Sequence, residues 1–343
     1  MPCLLREDFR LHLLHVKFAI QLLSSVAIFA LMGCGLSPSQ RTTDPALLEG
    51  TGEWKAGDGL PGTYEIWSPE KEPEAVWILV HGFSGAADDL ERLARAAVDW
   101  GDRAYALNLR GMGPDVSGEE RGDVESPREW PTDLKEFAEL VSAENPQKPL
   151  YLAGESLGVS IILASLAVPN GWVTPVEGVV LLSPVVEFGL EATWMQRAMG
   201  EIFLTLTPHR RIDLAQLGEE QGAAELPPMT PIKEEQEKLE QAPHQLDDVT
   251  LRFLASSIDL INQTETHASA LAGTPRFVAY GGKDAFIPAK RVAEFVDQLE
   301  ELDGSTEVIF YPEGHHLLLK DHTAADLLEQ VEVWRSVVDQ NAE

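Results

Sequence analysis

The chain has 343 residues, of which 44% are hydrophobic and 24% are charged, and this composition is typical of a globular protein with a sizeable buried core. Its 26 Lys and Arg residues face 56 Asp and Glu residues, which gives a formal net charge of -30. A chain this acidic repels phosphate backbones, so we expect no nucleic-acid partner.

The first element along the chain is an apolar run over residues 18–32, preceded by Arg6, Arg10 and Lys17. This arrangement is typical of a secretory signal peptide. At about 15 residues the run is shorter than the roughly 20 apolar residues that a membrane-spanning helix needs. We therefore predict that residues 1–33 are a signal peptide.

The four residues 31–34, Leu-Met-Gly-Cys, resemble the lipobox of bacterial lipoproteins, in which the peptide is cleaved before a cysteine that is then lipidated. The alternative is a coincidental cysteine behind an ordinary signal peptide. Because Cys3 would leave with the signal peptide, Cys34 would be the one cysteine of the mature chain and no disulfide is expected. Residues 34–50, which are rich in Ser, Thr and Pro, are predicted to be a flexible tether. The predicted location is a bacterial cell envelope on the periplasmic side, with the outer membrane favoured.

From about residue 74 the chain alternates short apolar strands with amphipathic helices, which is the pattern of βαβ units around a mainly parallel sheet. We predict a doubly wound α/β fold. The pattern predicts strands at 75–80, 103–109, 149–153, 179–182, 276–280 and 307–311. It predicts helices at 87–100, 132–141, 157–168, 289–302 and 324–338.

The strand pattern disappears over residues 187–270, where helical stretches alternate with prolines. We predict an inserted helical cap there, with core parts at 51–186 and 271–343. One stretch of the cap repeats apolar residues at four-residue spacing: Leu190, Trp194, Ala198, Ile202 and Leu206. This face is predicted either to pack on the core or to form the wall of a lipid-binding pocket.

A Gly-x-Ser-x-Gly motif over 154–158 lies where a predicted buried strand ends and an apolar helix begins. A serine on such a turn has a strained backbone, and its hydroxyl projects from the edge of the sheet, so Ser156 is the candidate nucleophile. The backbone N–H of Leu157, at the helix N-terminus, is a candidate donor to an oxyanion. Phe83, in the His-Gly-Phe-Ser-Gly segment 81–85, is the candidate second donor. The alternative for that segment is a plain turn.

A serine becomes a good nucleophile when a histidine, oriented by a carboxylate, takes its proton. Asp284 lies just past the strand 276–280 and is the candidate carboxylate, with a turn former or helix cap as the alternative. His315 and His316 both follow the last strand. The residues that follow His316, including Asp321, favour His316 as the base, and His315 stays as the alternative.

These motifs resemble those of the α/β-hydrolase family, and within it the monoglyceride lipase and lysophospholipase-like branch. The resemblance covers about residues 75–338 and rests on the segments 81–85, 109–113, 130–134, 154–158, 281–284 and 311–321. It implies an eight-stranded, mostly parallel sheet with helices on both faces and a helical cap inserted after strand six. Asn108 and Met112 stand where that branch usually has Asp and His.

The resemblance implies a serine hydrolase that cleaves carboxylic esters, of monoacylglycerol or lysophospholipid, through an acyl-Ser156 intermediate and without a metal or organic cofactor. The same three side chains would also serve an amide, peptide or thioester hydrolase. A further alternative is a non-catalytic lipoprotein that keeps the fold for binding, because fold does not guarantee activity. The predicted partners are a small acyl ester or lipid substrate and a membrane reached through lipidated Cys34.

Overall fold

The computed structural model describes residues 36–48, 50, 52–168, 172, 174–187, 200, 202–216 and 228–342. The predicted signal peptide and Cys34 lie outside these residues. Among the residues described, no helix combines the length and the apolar character needed to cross a bilayer.

The centre of the molecule is a nine-stranded sheet. The described strands are β1 (Ala46–Leu48), β2 (Glu53–Lys55), β3 (Pro61–Trp67), β4 (Val76–Val80), β5 (Arg103–Leu107), β6 (Leu150–Glu155), β7 (Gly178–Leu182), β8 (Arg211–Asp213), β9 (Asp248–Thr250), β10 (Arg276–Gly281) and β11 (Thr306–Tyr311). The sheet order is β1-β2-β3-β5-β4-β6-β7-β10-β11. Six neighbouring strands of this sheet run parallel: β4, β5, β6, β7, β10 and β11. Strands β1 to β3 pair antiparallel, and β3 joins them to β5. The predicted α/β-hydrolase fold is confirmed, with nine strands rather than eight because residues 46–48 add one at the edge.

Helices cover both faces of this sheet, as predicted. The described α-helices are α1 (Glu91–Asp99), α2 (Glu129–Glu144), α3 (Leu157–Leu166), α4 (Lys233–Glu240), α5 (Leu251–Asn262), α6 (Thr264–His267), α7 (Ala289–Glu300) and α8 (Ala324–Ala342). Successive side chains of a strand point to opposite faces. In β4, Ile78 therefore packs into the hydrophobic cluster with α2, α3, α5 and α7, while Trp77 packs into the cluster with α1 and α8. All five residues of β4 are buried, as expected for a parallel strand covered on both faces.

The part of the predicted tether that the structure describes is packed on the domain instead of being flexible. Arg41 donates to Glu129 Oε2 at 2.6 Å and to Asp133 Oδ1 at 2.7 Å, both on α2. The N–H of Thr43 donates to the carbonyl of Gly57 at 2.8 Å. The composition of the segment suggested flexibility, but the buried carboxylate of Glu129 needs a cation, and Arg41 supplies it.

The inserted region carries two strands where we predicted none. Strands β8 and β9 pair antiparallel over three residues each, which is too short for a recognisable alternation of apolar and polar side chains. Of the predicted apolar face, Leu190, Trp194 and Ala198 lie outside the described residues. Ile202 and Leu206 are 57% and 73% exposed, so these two side chains do not pack on the core.

A buried cation fixes the start of β10. The side chain of Arg276 is fully buried and donates at 2.7–3.2 Å to the carbonyl oxygens of Leu271, Thr274, Leu299, Leu302, Asp303 and Gly304. These carbonyls belong to the turn before β10 and to the C-terminal end of α7 with its following turn. Such groups have no partner within a helix and need one when they are buried. The strand that leads to Asp284 is therefore anchored at its opposite end.

Candidate active site

Ser156 lies on the tight turn between β6 and α3. Its backbone has φ of 56° and ψ of -120°, a left-handed conformation that is strained for a residue with a Cβ. The N–H of Ser156 donates to the carbonyl of Leu182, on the neighbouring strand β7, at 2.9 Å. The turn is thus held by the sheet, and it brings the serine to the edge at which the parallel strands end.

Two glycines allow the chain to pass close to this turn. A Cβ on Gly158 would lie 2.1 Å from the carbonyl oxygen of Val80, at the end of β4. A Cβ on Gly82 would lie 3.1 Å from the Cβ of Ser156. The absence of side chains at these positions lets the loop after β4 lie directly beside the candidate nucleophile.

The structure brings Ser156, His316 and Asp284 into one hydrogen-bonded chain. Nε2 of His316 lies 2.9 Å from the hydroxyl of Ser156, and its Nδ1 lies 2.7 Å from Oδ2 of Asp284. A carboxylate can only accept from Nδ1–H, which leaves Nε2 free to accept the serine proton. The side chains of His316 and Asp284 are almost fully buried, so water competes little for these bonds.

The acid and the base are each held by further hydrogen bonds. Oδ1 of Asp284 accepts the N–H groups of Phe286 at 2.8 Å and Ile287 at 3.2 Å. These bonds orient the carboxylate and leave Oδ2 for the histidine. The hydroxyl of Ser183 donates to the backbone carbonyl of His316 at 2.5 Å. Nothing in the sequence pattern pointed to Ser183, because this contact joins loops 133 residues apart.

The alternative base, His315, has a different partner. Its Nδ1 lies 3.1 Å from Oδ2 of Asp321, and its backbone N–H donates to the same oxygen at 2.8 Å. Asp321 therefore holds the loop that carries the histidines. Of the two candidates, His316 is the one whose ring contacts the hydroxyl of Ser156.

The two candidate oxyanion donors belong to segments next to Ser156. Leu157 is the first residue of α3, so its N–H is among the four that lack an intrahelical acceptor. Phe83 directly follows Gly82, and a Cβ on Gly82 would lie 3.6 Å from the serine oxygen. The ring of Phe83 packs edge-on against Phe253 of α5, with ring centres 5.7 Å apart. Their role as oxyanion donors stays a prediction.

His81 has a role that the sequence motif did not reveal. Its ring is fully buried, Nδ1 lies 2.8 Å from the carbonyl oxygen of Gly82, and Nε2 lies 3.1 Å from the N–H of Leu109. Burial lowers the pKa of His81 to about 4, so the ring is neutral at pH 7, with Nδ1 donating and Nε2 accepting. In a trans peptide the C=O and the next N–H point in opposite directions. By holding the Gly82 carbonyl, His81 therefore directs the N–H of Phe83 away from itself.

Glu155 is a second buried titratable residue that the sequence motif did not explain. It is 2% exposed, and within the described part of the chain its Oε1 has no hydrogen-bond partner. Burial raises the pKa of Glu155 to about 7, while the charges of His316 and Lys320 act in the opposite direction. The residue before the nucleophile is thus a carboxyl group that changes charge near neutral pH.

One group of side chains has the types and spacing of metal ligands. Single ligand atoms of Asp88, Asp89 and His244 lie within 4.8 Å of one another. The ammonium group of Lys320 lies 2.8 Å from Oδ1 of Asp89, so a cation of the protein itself already neutralises this carboxylate. His244 Nε2 lies 3.5 Å from Oδ2 of Asp89, and the cluster therefore connects the cap to the core.

The fold agrees with the comparisons with known proteins. Residues 71–323 match the family described as serine aminopeptidase, S33. A monoacylglycerol lipase of Mycolicibacterium smegmatis is 23% identical over 282 residues, which cover 80% of this chain and 93% of that protein.

Solved structures show the same fold. A soluble variant of monoglyceride lipase from Saccharomyces cerevisiae, in complex with a substrate analog, superposes with a TM-score of 0.67 at 16% identity and covers 91% of this chain and 99% of its own. A carboxyl esterase from Bacillus coagulans, in complex with glycerol, has a TM-score of 0.69 at 16% identity and covers 81% and 94%. At these identities the likeness concerns the fold alone.

Proposed function

The chain belongs to the serine aminopeptidase S33 family of α/β-hydrolases, and on that premise we propose that it is a serine hydrolase that cleaves carboxylic esters of lipids. The observation that carries this proposal is the hydrogen-bonded chain from Asp284 through His316 to Ser156. Side chains in this arrangement activate a hydroxyl for attack on an acyl carbon.

The proposed reaction has two halves. In the first, Nε2 of His316 takes the proton of Ser156 as the serine oxygen attacks the ester carbonyl, and the histidine then gives that proton to the leaving alcohol. In the second, a water molecule gives a proton to His316 and attacks the acyl-serine; the histidine then gives that proton to the serine oxygen, which restores the hydroxyl and releases the fatty acid. Asp284 holds the histidine ring throughout, and the N–H groups of Phe83 and Leu157 stabilise the oxyanion in both halves.

Monoacylglycerol or lysophospholipid is the substrate class that we propose. Two relatives carry the name monoacylglycerol or monoglyceride lipase, and a third is a carboxyl esterase. The surroundings of the serine are apolar: Phe83 packs on Phe253, and the ring centre of Phe286 lies 5.0 Å from that of His316. An acyl chain gains free energy by leaving water in such surroundings.

The test is hydrolysis of nitrophenyl esters from acetyl to palmitoyl, and of monoacylglycerol, by the chain without its signal peptide. Ser156→Ala is the catalytic control. We expect turnover that rises with chain length and is lost in Ser156→Ala, together with fluorophosphonate labelling of Ser156. If neither turnover nor labelling is found, a binding protein of the same fold becomes the better description. Cleavage of amino-acid nitroanilides without ester hydrolysis would instead identify a peptide substrate.

We further propose that Cys34 is lipidated and holds the domain on a bacterial membrane. The proposal rests on the lipobox-like residues 31–34 and on the apolar run before them. Mass spectrometry of the mature N-terminal peptide tests it directly. An acylated Cys34 at the new N-terminus is the expected result, and an unmodified cysteine would contradict the anchor.

A further inference from the structure

Ser84 lies in the turn that carries Phe83, the candidate oxyanion donor. The N–H of Gly85 donates to the carbonyl of Gly82 at 3.2 Å and closes a four-residue turn with Phe83 and Ser84 at its centre. The backbone of Ser84 has φ of 60°, which is in the left-handed region. Type II turns need a positive φ at their third residue and usually have glycine there. Ser84 therefore places a Cβ at a position whose backbone conformation favours glycine.

The hydroxyl of Ser84 binds the inserted region. Its oxygen accepts the N–H of Leu246 at 2.8 Å, in a buried hydrogen bond between residues 162 positions apart. Leu246 is buried in the main hydrophobic cluster and lies outside the described helices and strands. A buried backbone N–H needs an acceptor, and the serine hydroxyl supplies it. Ser84 thus makes a contact that glycine, the usual residue at this position of the turn, could not make.

We infer that Ser84 is a positioning residue for the proposed reaction. Its hydrogen bond to Leu246 holds the turn 82–85 closed and thereby keeps the N–H of Phe83 directed at the oxyanion. This inference rests on the proposed function, and it adds the way in which the inserted region takes part in the chemistry.

The peptide group between Gly82 and Phe83 connects the turn to the candidate oxyanion hole. Its carbonyl oxygen accepts from the N–H of Gly85 at 3.2 Å and lies 2.8 Å from Nδ1 of His81. Its N–H is the candidate donor. Because a peptide group is planar, the C=O and the N–H rotate together. If the turn opened at Ser84, the carbonyl would lose the partner at Gly85 and the donor would lose its fixed direction.

The segment that carries Leu246 is held at both ends. Before Leu246, the guanidinium of Arg121 donates to the carbonyl oxygens of Pro243 at 2.9 Å and Gln245 at 2.8 Å. After it, β9 pairs with β8. The N–H of Leu246 is therefore offered to Ser84 from a fixed position, so that the hydrogen bond can restrain the turn.

Two substitutions separate the effect of the hydroxyl from that of the backbone conformation. Ser84→Ala removes the hydrogen bond and keeps the Cβ, so the left-handed conformation remains strained and loses the contact that stabilised it. Ser84→Gly also removes the hydrogen bond, but glycine adopts this conformation without strain. Alanine should therefore disturb the turn more than glycine, and the rates of ester hydrolysis should follow the same order.

Ser126→Ala is the matched control. Ser126 is also fully buried, and its hydroxyl also accepts a backbone N–H, that of Arg128 at 3.1 Å. It lies before α2, in a different turn from the one that carries Phe83. The control variant therefore loses a hydrogen bond of the same kind at a place that does not hold the oxyanion donor.

The experiment measures kcat and KM on a soluble nitrophenyl ester, and the inhibition constant of a trifluoromethyl ketone, for the full, mature chain and the three variants. The ketone adds to the hydroxyl of Ser156, and the oxyanion of the adduct stands in for that of the transition state. Thermal unfolding of each protein is recorded alongside, so that activities are compared at a temperature at which all of them are folded.

We expect kcat to fall about tenfold in Ser84→Ala and about threefold in Ser84→Gly, with KM within about twofold of the parent, because bonds to the oxyanion strengthen in the transition state. The inhibition constant of the ketone should rise by the same factors. Ser126→Ala should match the parent in kcat and in inhibitor binding, even where its thermal stability is lower.

Unchanged kcat and inhibitor binding in the Ser84 variants would overturn the inference, because Ser84 would then contribute to folding alone. A lower kcat with unchanged inhibitor binding would overturn it as well, since the oxyanion would not be involved. Should Ser84→Ala not fold, Ser84→Gly decides by the same comparison. A parent protein that hydrolyses no ester would refute the proposed function, and this inference with it.

Discussion

Replacing Glu155 with glutamine tests whether the carboxyl group beneath the nucleophile is as poorly solvated as the structure indicates. Glutamine keeps the shape of the side chain and removes its ionisation. Glu155 is buried, its Oε1 has no partner among the described residues, and burial raises its pKa from 4.5 to about 7. Its charged form therefore destabilises the folded protein.

The size and the pH range of this effect follow from those two pKa values. Below pH 4.5 the folded and the unfolded chain both carry the proton, and the free energy of unfolding is unaffected. Between pH 4.5 and 7 the unfolded chain releases the proton while the folded chain keeps it, so the folded state loses stability as the pH rises. At about 1.4 kcal/mol per pH unit, the full loss is about 3 kcal/mol and is reached above pH 7. Glu155→Gln abolishes this loss.

The assay is urea unfolding of the parent, Glu155→Gln and Glu332→Gln at pH 4.5, 6 and 8. Glu332 is an exposed glutamate of α8 and serves as the control. The neutral, buried His81 has the opposite effect: its contribution to the free energy of unfolding decreases as the pH falls from 6.5 to about 4. Because His81 is present in all three proteins, this contribution cancels when their free energies of unfolding are compared. We expect the advantage of Glu155→Gln over the parent to grow by about 3 kcal/mol from pH 4.5 to 8. A constant difference between these two proteins would refute the burial argument.

Three further substitutions test the candidate site. Asp284→Asn should lower kcat on a soluble nitrophenyl ester by about 10⁴, because an amide stabilises the wrong tautomer of His316; a loss below tenfold would remove Asp284 from the triad. His315→Ala should keep kcat within about twofold of the parent, since that ring contacts Asp321, and a kcat as low as that of His316→Ala would contradict the assignment. Gly158→Ala would place a Cβ 2.1 Å from the carbonyl oxygen of Val80, so we expect a loss of more than about 3 kcal/mol in thermal unfolding, and an unchanged Tm would show that the turn relaxes.

The parallel core could be predicted closely because its strands are buried on both faces and read as continuous apolar runs. The predicted strand at 75–80 is β4 (Val76–Val80), and the one at 276–280 is β10 (Arg276–Gly281). The antiparallel edge escaped prediction. Strand β3 (Pro61–Trp67) is mostly half-exposed and begins with proline and glycine, so it lacks the usual composition of a strand.

The site was predictable to the extent that its chemistry is encoded locally. The turn at Ser156 needs only residues 154–158, and Asp284 and His316 each follow a strand that could be recognised. The contacts of His81 and Ser183 join segments 28 and 133 residues apart, and no sequence pattern reports such pairs. The burial of Glu155 could not be predicted either, because a glutamate in a short motif does not indicate whether its side chain is buried or exposed.

The hydrogen-bond partners of Arg276 are backbone carbonyls, which do not ionise, whereas those of Arg41 are carboxylates. Acid should therefore affect the contacts of Arg41 before those of Arg276. Arg41 depends on carboxylates that lose their charge as the pH falls. The pKa of one of them, Asp58, is lowered in spite of burial, because Asp58 accepts hydrogen bonds from Arg110 and from the N–H of Leu60 and lies near Arg41. The stabilisation by its charged form is therefore lost as the pH falls through that pKa. The backbone carbonyls around Arg276 do not titrate in this range, and their hydrogen bonds survive. Acid should therefore release residues 36–48 before it weakens the contacts at the start of the strand that leads to Asp284. The segment that joins the domain to its predicted anchor is thus more sensitive to acid than the strand that leads to Asp284.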